Sequence, residues 1–594
     1  MPPRSWPRSV GTTTGVSHTR RRRCSRRTSW ARCSTTPQRP CAPCATSSST
    51  RRPCSRSRWA RRVQPRSWPS STRWEPGLSE REQTRTADVV IVGTGPAGAA
   101  YARILSEERP DLRILQFDAG PIITDPPGAH VKNLIDDNAR ARAQRLSEGP
   151  APSSVYQSTD TLDGYASDAE RIVRAGTFLL EDGYRHGDEA GLPAAAFSTN
   201  VGGMGAHWTC ACPRPGEGER IAEVSDLDDL LAEGERLLGV SAELMGAAPL
   251  AEEVRERLAR GLDPHRTRPV QPMPLAVRLE EDGRLWWSGS DVVFGDATRA
   301  NPNHRLIDRT LVTRVRTVEG LVIGVRVRNL VDGREYEVDA PTVVVAADAL
   351  RTPQLLWASD IRPPALGRYL NDQPQVVHAV KLRDVLPQDP TRAGGPVDVL
   401  SGVSWVPYTD DHPFHGQVMQ LDASPVPYDG DILPGEVVGL GWFCAKDIRA
   451  DDRVEFDDDR TDSYGMPAMR IHYDLTEADR RTLDRAVAEM VAVGELLGDA
   501  VFGDPIEFPP GASLHYQGTT RIGAVDDGRS VCDADSRVWG VSGLHVAGNG
   551  VIPTALACNP TLTSVALAVR GARAIAREAA SALSLHRPQA GTHA

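Results

Sequence analysis

No stretch of the ~20 uninterrupted apolar residues that a bilayer crossing needs occurs in the chain, so a soluble protein with no membrane partner is expected. Acidic side chains are missing from one part only: residues 1–74 hold 18 Arg and no Asp, Glu or Lys. Removing those 18 from the 69 Lys and Arg leaves 51 against 78 acidic residues, so the formal charge of −9 hides a body at −27. Such a body repels phosphate backbones, which argues against nucleic acid as a partner and favours a neutral or cationic substrate. Cysteines spaced for disulfides or a metal are also lacking. Cys24, Cys33, Cys41, Cys44 and Cys54 crowd the basic tract, and the other five are scattered, as in a reduced, cytoplasmic protein. Cys41 and Cys44 form a C-x-x-C with no preceding strand and no second pair, against a redox or zinc role. The Asp451, Asp452, Asp457, Asp458 and Asp459 cluster has neither EF-hand spacing nor its closing glutamate, so no metal is expected.

Residues 1–83 are Arg, Ser, Pro, Thr and Cys with almost no aliphatic periodicity, a composition expected to be a disordered basic extension. The run Arg20 to Arg23 is followed by no apolar segment, so twin-arginine export is not expected. A stretch translated from a start codon set too early accounts for this extension better than a functional arm. At Ala87 the character changes to a short buried-strand pattern ending in glycine.

A single core stops growing near roughly 250–300 residues, so a cofactor domain plus a substrate domain is expected. The first should comprise residues 84–225, 300–365 and 505–585; the second, residues 226–299 and 366–504. Residues 88–120 predict strand, glycine turn, helix, strand; 226–262, acidic amphipathic helices; 304–347, Val-rich strands; 370–480, a largely antiparallel sheet; and 559–580, an Ala-rich helix. The fold class is α/β.

Gly93-Thr94-Gly95-Pro96-Ala97-Gly98 is a G-x-G-x-x-G between strand and helix. Gly93 allows a tight turn, Gly95 close backbone approach to a pyrophosphate, and Gly98 packing of helix on strand. The second strand ends in Asp118, placed to bond a ribose diol and to disfavour a 2′-phosphate. This fingerprint does not separate NAD from FAD.

Two further segments carry a resemblance. Residues 535–554, containing Gly548-Asn549-Gly550, with Asn559-Pro560-Thr561 after them, resemble the closing region of glucose-methanol-choline oxidoreductases. Gly203-Met204-Gly205-Ala206-His207-Trp208-Thr209 resembles the pyranose oxidase flavin loop, which implies a Rossmann-like FAD-binding domain. By that likeness His207 is the candidate for covalent attachment to FAD and Thr209 a flavin contact, with Ala206 where fungal enzymes carry Ser or Thr. Physically, Gly548 permits close approach to an isoalloxazine, and Pro560 at a helix start leaves N–H groups whose dipole stabilises a reduced flavin. Where family members read A-A-G, this chain reads Ala346-Ala347-Asp348, so the backbone there is expected to differ.

Ser513-Leu514-His515-Tyr516 matches the family's catalytic histidine stretch. His515 is the candidate base, its residue type suited by a pKa near neutrality, and Asn559 the residue that orients the substrate hydroxyl. Gln417 opens the stretch matching the family's substrate loop, here with prolines and no aromatic. The implied activity is oxidation of a ring hydroxyl of a sugar or glycoside. C2 against C3, oxygen against quinone as acceptor, covalent against dissociable FAD, and oligomeric state all stay open. The competing accounts are an NAD-dependent sugar dehydrogenase and a non-catalytic flavin-binding protein.

Overall fold

The computed structural model describes residues 85–149, 156–157, 173–174, 176–179, 184–186, 191–244, 249–384, 402–421 and 436–585. The expectations for residues 1–83 and for residues 422–427 of the substrate stretch lie outside these.

The chain enters through strand β1 (Val89–Val92), helix α1 (Pro96–Glu108) and strand β2 (Ile114–Phe117). Helix α2 (Leu227–Leu238) precedes β3 (His304–Ile307), the meander β4 (Thr310–Val318), β5 (Leu321–Asn329) and β6 (Glu335–Asp339), and then β7 (Thr342–Val345). Strands β8 (Gln375–Leu382), β9 (Val403–Val406), β10 (Phe414–Leu421) and β11 (Val437–Cys444) follow, then helix α3 (Glu477–Leu497), strand β12 (Leu544–Val546) and helix α4 (Thr561–Leu585).

Five strands make a parallel sheet in the order β3-β2-β1-β7-β12. All four residues of β1 are apolar and buried, as a central strand covered on both faces requires. Helix α1 packs against α4. Helix α2 also lies on α4, where a Cβ at Gly234 would sit 3.1 Å from the Leu562 side chain. The sequence division grouped α2 with the substrate segments; its ion pairs, Arg236 to Glu107 at 3.0 Å and Arg573 to Glu233 at 3.2 Å, run to α1 and α4.

The second sheet is antiparallel, β8-β11-β10-β9, with short strands Gly498–Ala500 and Gln271–Pro272 at its edges. Alternation gives it two unlike faces. Phe414, Val418, Leu440 and Trp442 join Leu483, Met490 and Val493 of α3 in an apolar core. His415, Gln417 and Phe443 fall on the opposite face, toward the loops at the ends of the parallel strands. Among the described residues no helix is long and apolar enough to cross a membrane.

Candidate active site

The glycine turn leaves β1 at Gly93, whose φ of +99° is a left-handed conformation that glycine adopts without a Cβ penalty. A Cβ there would collide with the Ala346 carbonyl oxygen at the end of β7. Gly95 is the opposite case: a Cβ would meet nothing within 4 Å, so the turn is open on the side where a pyrophosphate would approach. Pro96 takes the first position of α1, where its missing N–H costs nothing, and Ala97 is buried behind it. Asp118, 9% exposed, receives Thr94 N at 3.1 Å, the Thr94 hydroxyl, and Gly120 N at 2.8 Å. Burial pushes its pKa up to about 6. A carboxylate offers about four lone-pair sites, so one is left for a ribose hydroxyl while the others fasten β2 to the turn.

Thr94 also receives Gly202 N at 2.8 Å, which joins the turn to the Gly203–Ala206 turn of the flavin-loop stretch. There Met204 O receives His207 N at 2.9 Å, Trp208 Nε1 donates to Ser288 O at 2.7 Å, and Thr209 is exposed. His207 Nε2 lies 3.1 Å from Ser147 Oγ, and its Nδ1 is buried with no partner among the described residues. Burial lowers its pKa to about 4, so the ring is neutral at working pH. Beyond β12, Gly548 has φ +100° and open space where its Cβ would stand, and Asn549 begins a short turn. Pro560 O takes the first helical bond of α4, from Ser564 N at 2.8 Å, leaving the N–H groups of Thr561, Leu562 and Thr563 free of helical partners. Open backbone at Gly95 and Gly548, a helix N-terminus and an anchored acid together fit a dinucleotide carrying a flavin.

His515 and Asn559 meet: Asn559 Nδ2 is 3.4 Å from His515 Nε2. Gln417 Nε2, reaching from β10, donates to Asn559 Oδ1 at 2.7 Å and thereby fixes which end of that amide faces the histidine. His515 Nδ1 lies 2.7 Å from Gln373 Oε1. Gln373 cannot turn over, because its NH2 donates to Leu556 O at 2.8 Å and Cys558 O at 2.9 Å. Its oxygen therefore requires a proton on Nδ1, and the lone pair of His515 sits on Nε2, beside Asn559. Phe443 packs on His515 at 5.4 Å between ring centroids, and His415 stacks behind Phe443 at 5.2 Å, kept neutral by burial that lowers its pKa to about 3.

Sequence reasoning missed three residues that build this geometry. Gln373 and Asp372, in Asn371-Asp372-Gln373-Pro374, carry no chemistry of their own that would single them out in the sequence. Asp372 receives the Ser513 hydroxyl and Gly511 N at 2.8 Å, and Ser513 Oγ in turn receives His515 N at 3.0 Å. Glu219 left no local signal. At the departure Ala346-Ala347-Asp348, the expected backbone difference is small: Asp348 takes φ +75°, the conformation a glycine would supply, and its Oδ1 caps Leu350 N and Arg351 N at 2.6 and 3.0 Å.

Models of the GMC oxidoreductase family match residues 280–375 and 449–568. The chain belongs to this family and is an FAD-dependent oxidoreductase acting on CH–OH donors. Within it, the chain is 58% identical over 511 residues to a C-glycoside 3-oxidase of Arthrobacter globiformis, covering 85% of this chain and 98% of that protein. A C-glycoside 3-oxidase of Microbacterium trichothecenolyticum is also 58% identical, over 84% of this chain and 98% of its own. The pyranose 2-oxidase of Tricholoma matsutake is 34% identical, over 84% and 95%. Among solved structures, pyridoxine 4-oxidase (TM-score 0.58, 20% identity, 82% of this chain and 98% of that one) and a formate oxidase of Aspergillus oryzae RIB40 (0.61, 16%, 84% and 99%) share the fold.

Proposed function

We propose that this chain oxidises a secondary ring hydroxyl of a glycoside, at C3 of the sugar, to the ketone, with O2 as acceptor and hydrogen peroxide as product. The observation that carries the chemistry is the His515 Nε2 lone pair fixed beside Asn559. The substrate class is supported by the two C-glycoside 3-oxidases, each far more similar to this chain than the pyranose 2-oxidase.

His515 Nε2 takes the hydroxyl proton, a task worth about 10²–10⁴-fold in rate. Asn559 Nδ2 donates to the hydroxyl oxygen as its negative charge grows, so the bond is strongest in the transition state. Gln417 holds that amide in the donating orientation. FAD, when bound, supplies the two-electron acceptor for the hydride leaving the carbinol carbon. Gly93, Gly95, Gly98 and Asp118 would hold its phosphates and ribose, and Gly548 and the α4 N-terminus its ring.

Purified protein should be yellow and should release peroxide with a C- or O-glycoside in air. A colourless protein, or one that turns over glucose at C2 faster than any glycoside, overturns the proposal. Oxidation only with an added quinone would replace O2 as acceptor. Acid precipitation decides the role of His207: colour retained in the pellet means a covalent bond, and colour released means packing alone.

A further inference from the structure

Asn559 sits at the end of a loop, Thr554 to Cys558, whose backbone is held by side chains. Gln373 and Gln517 grip it through carbonyls: both donate to Leu556 O, at 2.8 and 3.0 Å, and Gln373 also to Cys558 O. Two of its N–H groups, those of Ala557 and Cys558, go to a single carboxylate. Glu219 Oε1 receives Ala557 N at 2.7 Å and Cys558 N at 2.9 Å. Its Oε2 receives Gly216 N at 2.5 Å, and its own carbonyl receives Thr554 Oγ1 at 2.9 Å.

Glu219 is 1% exposed and makes no ion pair within 4 Å among the described residues, although the Arg268 guanidinium contributes favourable charge to it. A buried carboxylate without a close cation is expensive to keep. Charge-assisted bonds to backbone N–H groups, which are short and about twice as strong as neutral ones, offset that cost here together with the Arg268 charge. What the acid does that an apolar residue cannot is fix the two peptide groups immediately before Asn559.

We propose that Glu219 is a positioning residue for the oxidation, setting Asn559 against His515 Nε2 through the Ala557 and Cys558 amides. The inference rests on the assignment of Asn559 and His515 to the reacting hydroxyl. Gln373 completes the arrangement, because the amide that fixes the His515 tautomer also grips the carbonyls of the loop that Glu219 grips by its N–H groups. The two catalytic side chains are thus referenced to one another through four hydrogen bonds to a single peptide segment.

The test is anaerobic stopped-flow reduction of the bound flavin by a glycoside in four proteins: parent, Glu219→Ala, Asn559→Ala and the double variant. Glu219→Ala should retain its flavin, lower the limiting rate of reduction by at least ~10-fold, and change the substrate concentration at half-maximal rate by less than about threefold. In the Asn559→Ala background the same substitution should add less than about threefold, because the group it positions is gone. A limiting rate within twofold of the parent, with only a lowered Tm, would make Glu219 a structural anchor and overturn the proposal. So would a full multiplicative loss in the double variant. If Glu219→Ala does not fold, Glu219→Gln keeps the shape while turning one acceptor into a donor that faces N–H, and the same two comparisons apply. A parental rate in Asn559→Ala would instead strike at the assignment of the pair.

Discussion

Gln373 does more for the chemistry than its position in the chain suggests. By locking its own amide on two carbonyls it decides which nitrogen of His515 carries the proton, a choice worth orders of magnitude when the wrong tautomer faces the substrate. His515→Ala should slow flavin reduction by about 10²–10⁴-fold with FAD retained, and rising pH should restore part of the rate as sugar alkoxide becomes less rare. Asn559→Ala should raise the barrier by roughly 1–3 kcal/mol without that rescue. Stopped-flow bleaching at saturating glycoside measures both, and a parental rate in His515→Ala would transfer the base role elsewhere. Asp348 supports a separate prediction from its left-handed φ and its cap on the next helix. Asp348→Ala keeps the strain and loses the cap, so it should cost about 1–3 kcal/mol, whereas Asp348→Gly loses the cap but not the conformation and should cost visibly less. Thermal unfolding of the two variants side by side checks that order. Residues with a chemistry of their own, such as His515 and Asn559, could be named from the sequence because their type and neighbours mark them. Gln373 and Glu219 could not: their partners lie about 180 and 340 positions away in the chain, and nothing local marks a side chain whose task is to hold a distant backbone.

At the scale of elements, the loop Gly511–Gly518 that carries His515 hangs on Asp372. Leu514 within it is held at φ +60°, a conformation costly for a branched side chain, so the loop depends on the bonds at its base. Burial raises the Asp372 pKa to about 6 from an ordinary 3.8, and the folded state therefore binds more protons than the unfolded one between those values. That contribution to stability is present at low pH and is lost as pH rises through about 6. Asp372→Asn lacks it, and loses part of the hydrogen bonding to Gly511 and Ser513 at every pH. Its Tm deficit against the parent should consequently narrow between pH 5 and pH 7.5; a constant deficit would show that the carboxyl does not titrate in that range. Strand-turn-helix was legible here because period and glycine spacing are local properties. The allegiance of α2 was not, since an amphipathic stripe announces that a helix has a buried side without saying which sheet or helix covers it.

For the whole molecule, residues 1–74 hold 18 Arg and no acidic residue and have almost no aliphatic periodicity, a composition that builds no core, so a chain beginning at Ser79 should fold, bind FAD and turn over like the full chain. Absorption of the purified shortened protein and a peroxide assay settle this, and a colourless product would give the basic tract a structural part. The parallel sheet itself is assembled from distant pieces: β1 and β2 near residue 100, β3 and β7 near 300–345, and β12 at Leu544–Val546. During synthesis β7 leaves the ribosome about 200 residues before the strand that covers its edge. At about 5–20 residues per second that interval is roughly 10–40 s. Throughout it the Val343-Val344-Val345 edge is unpaired, and Gly548, Asn559 and the α4 N-terminus do not yet exist to close over a flavin. The nascent chain therefore passes this interval with a bare strand edge and an incomplete flavin site, the kind of exposed surface that makes a folding intermediate prone to aggregate.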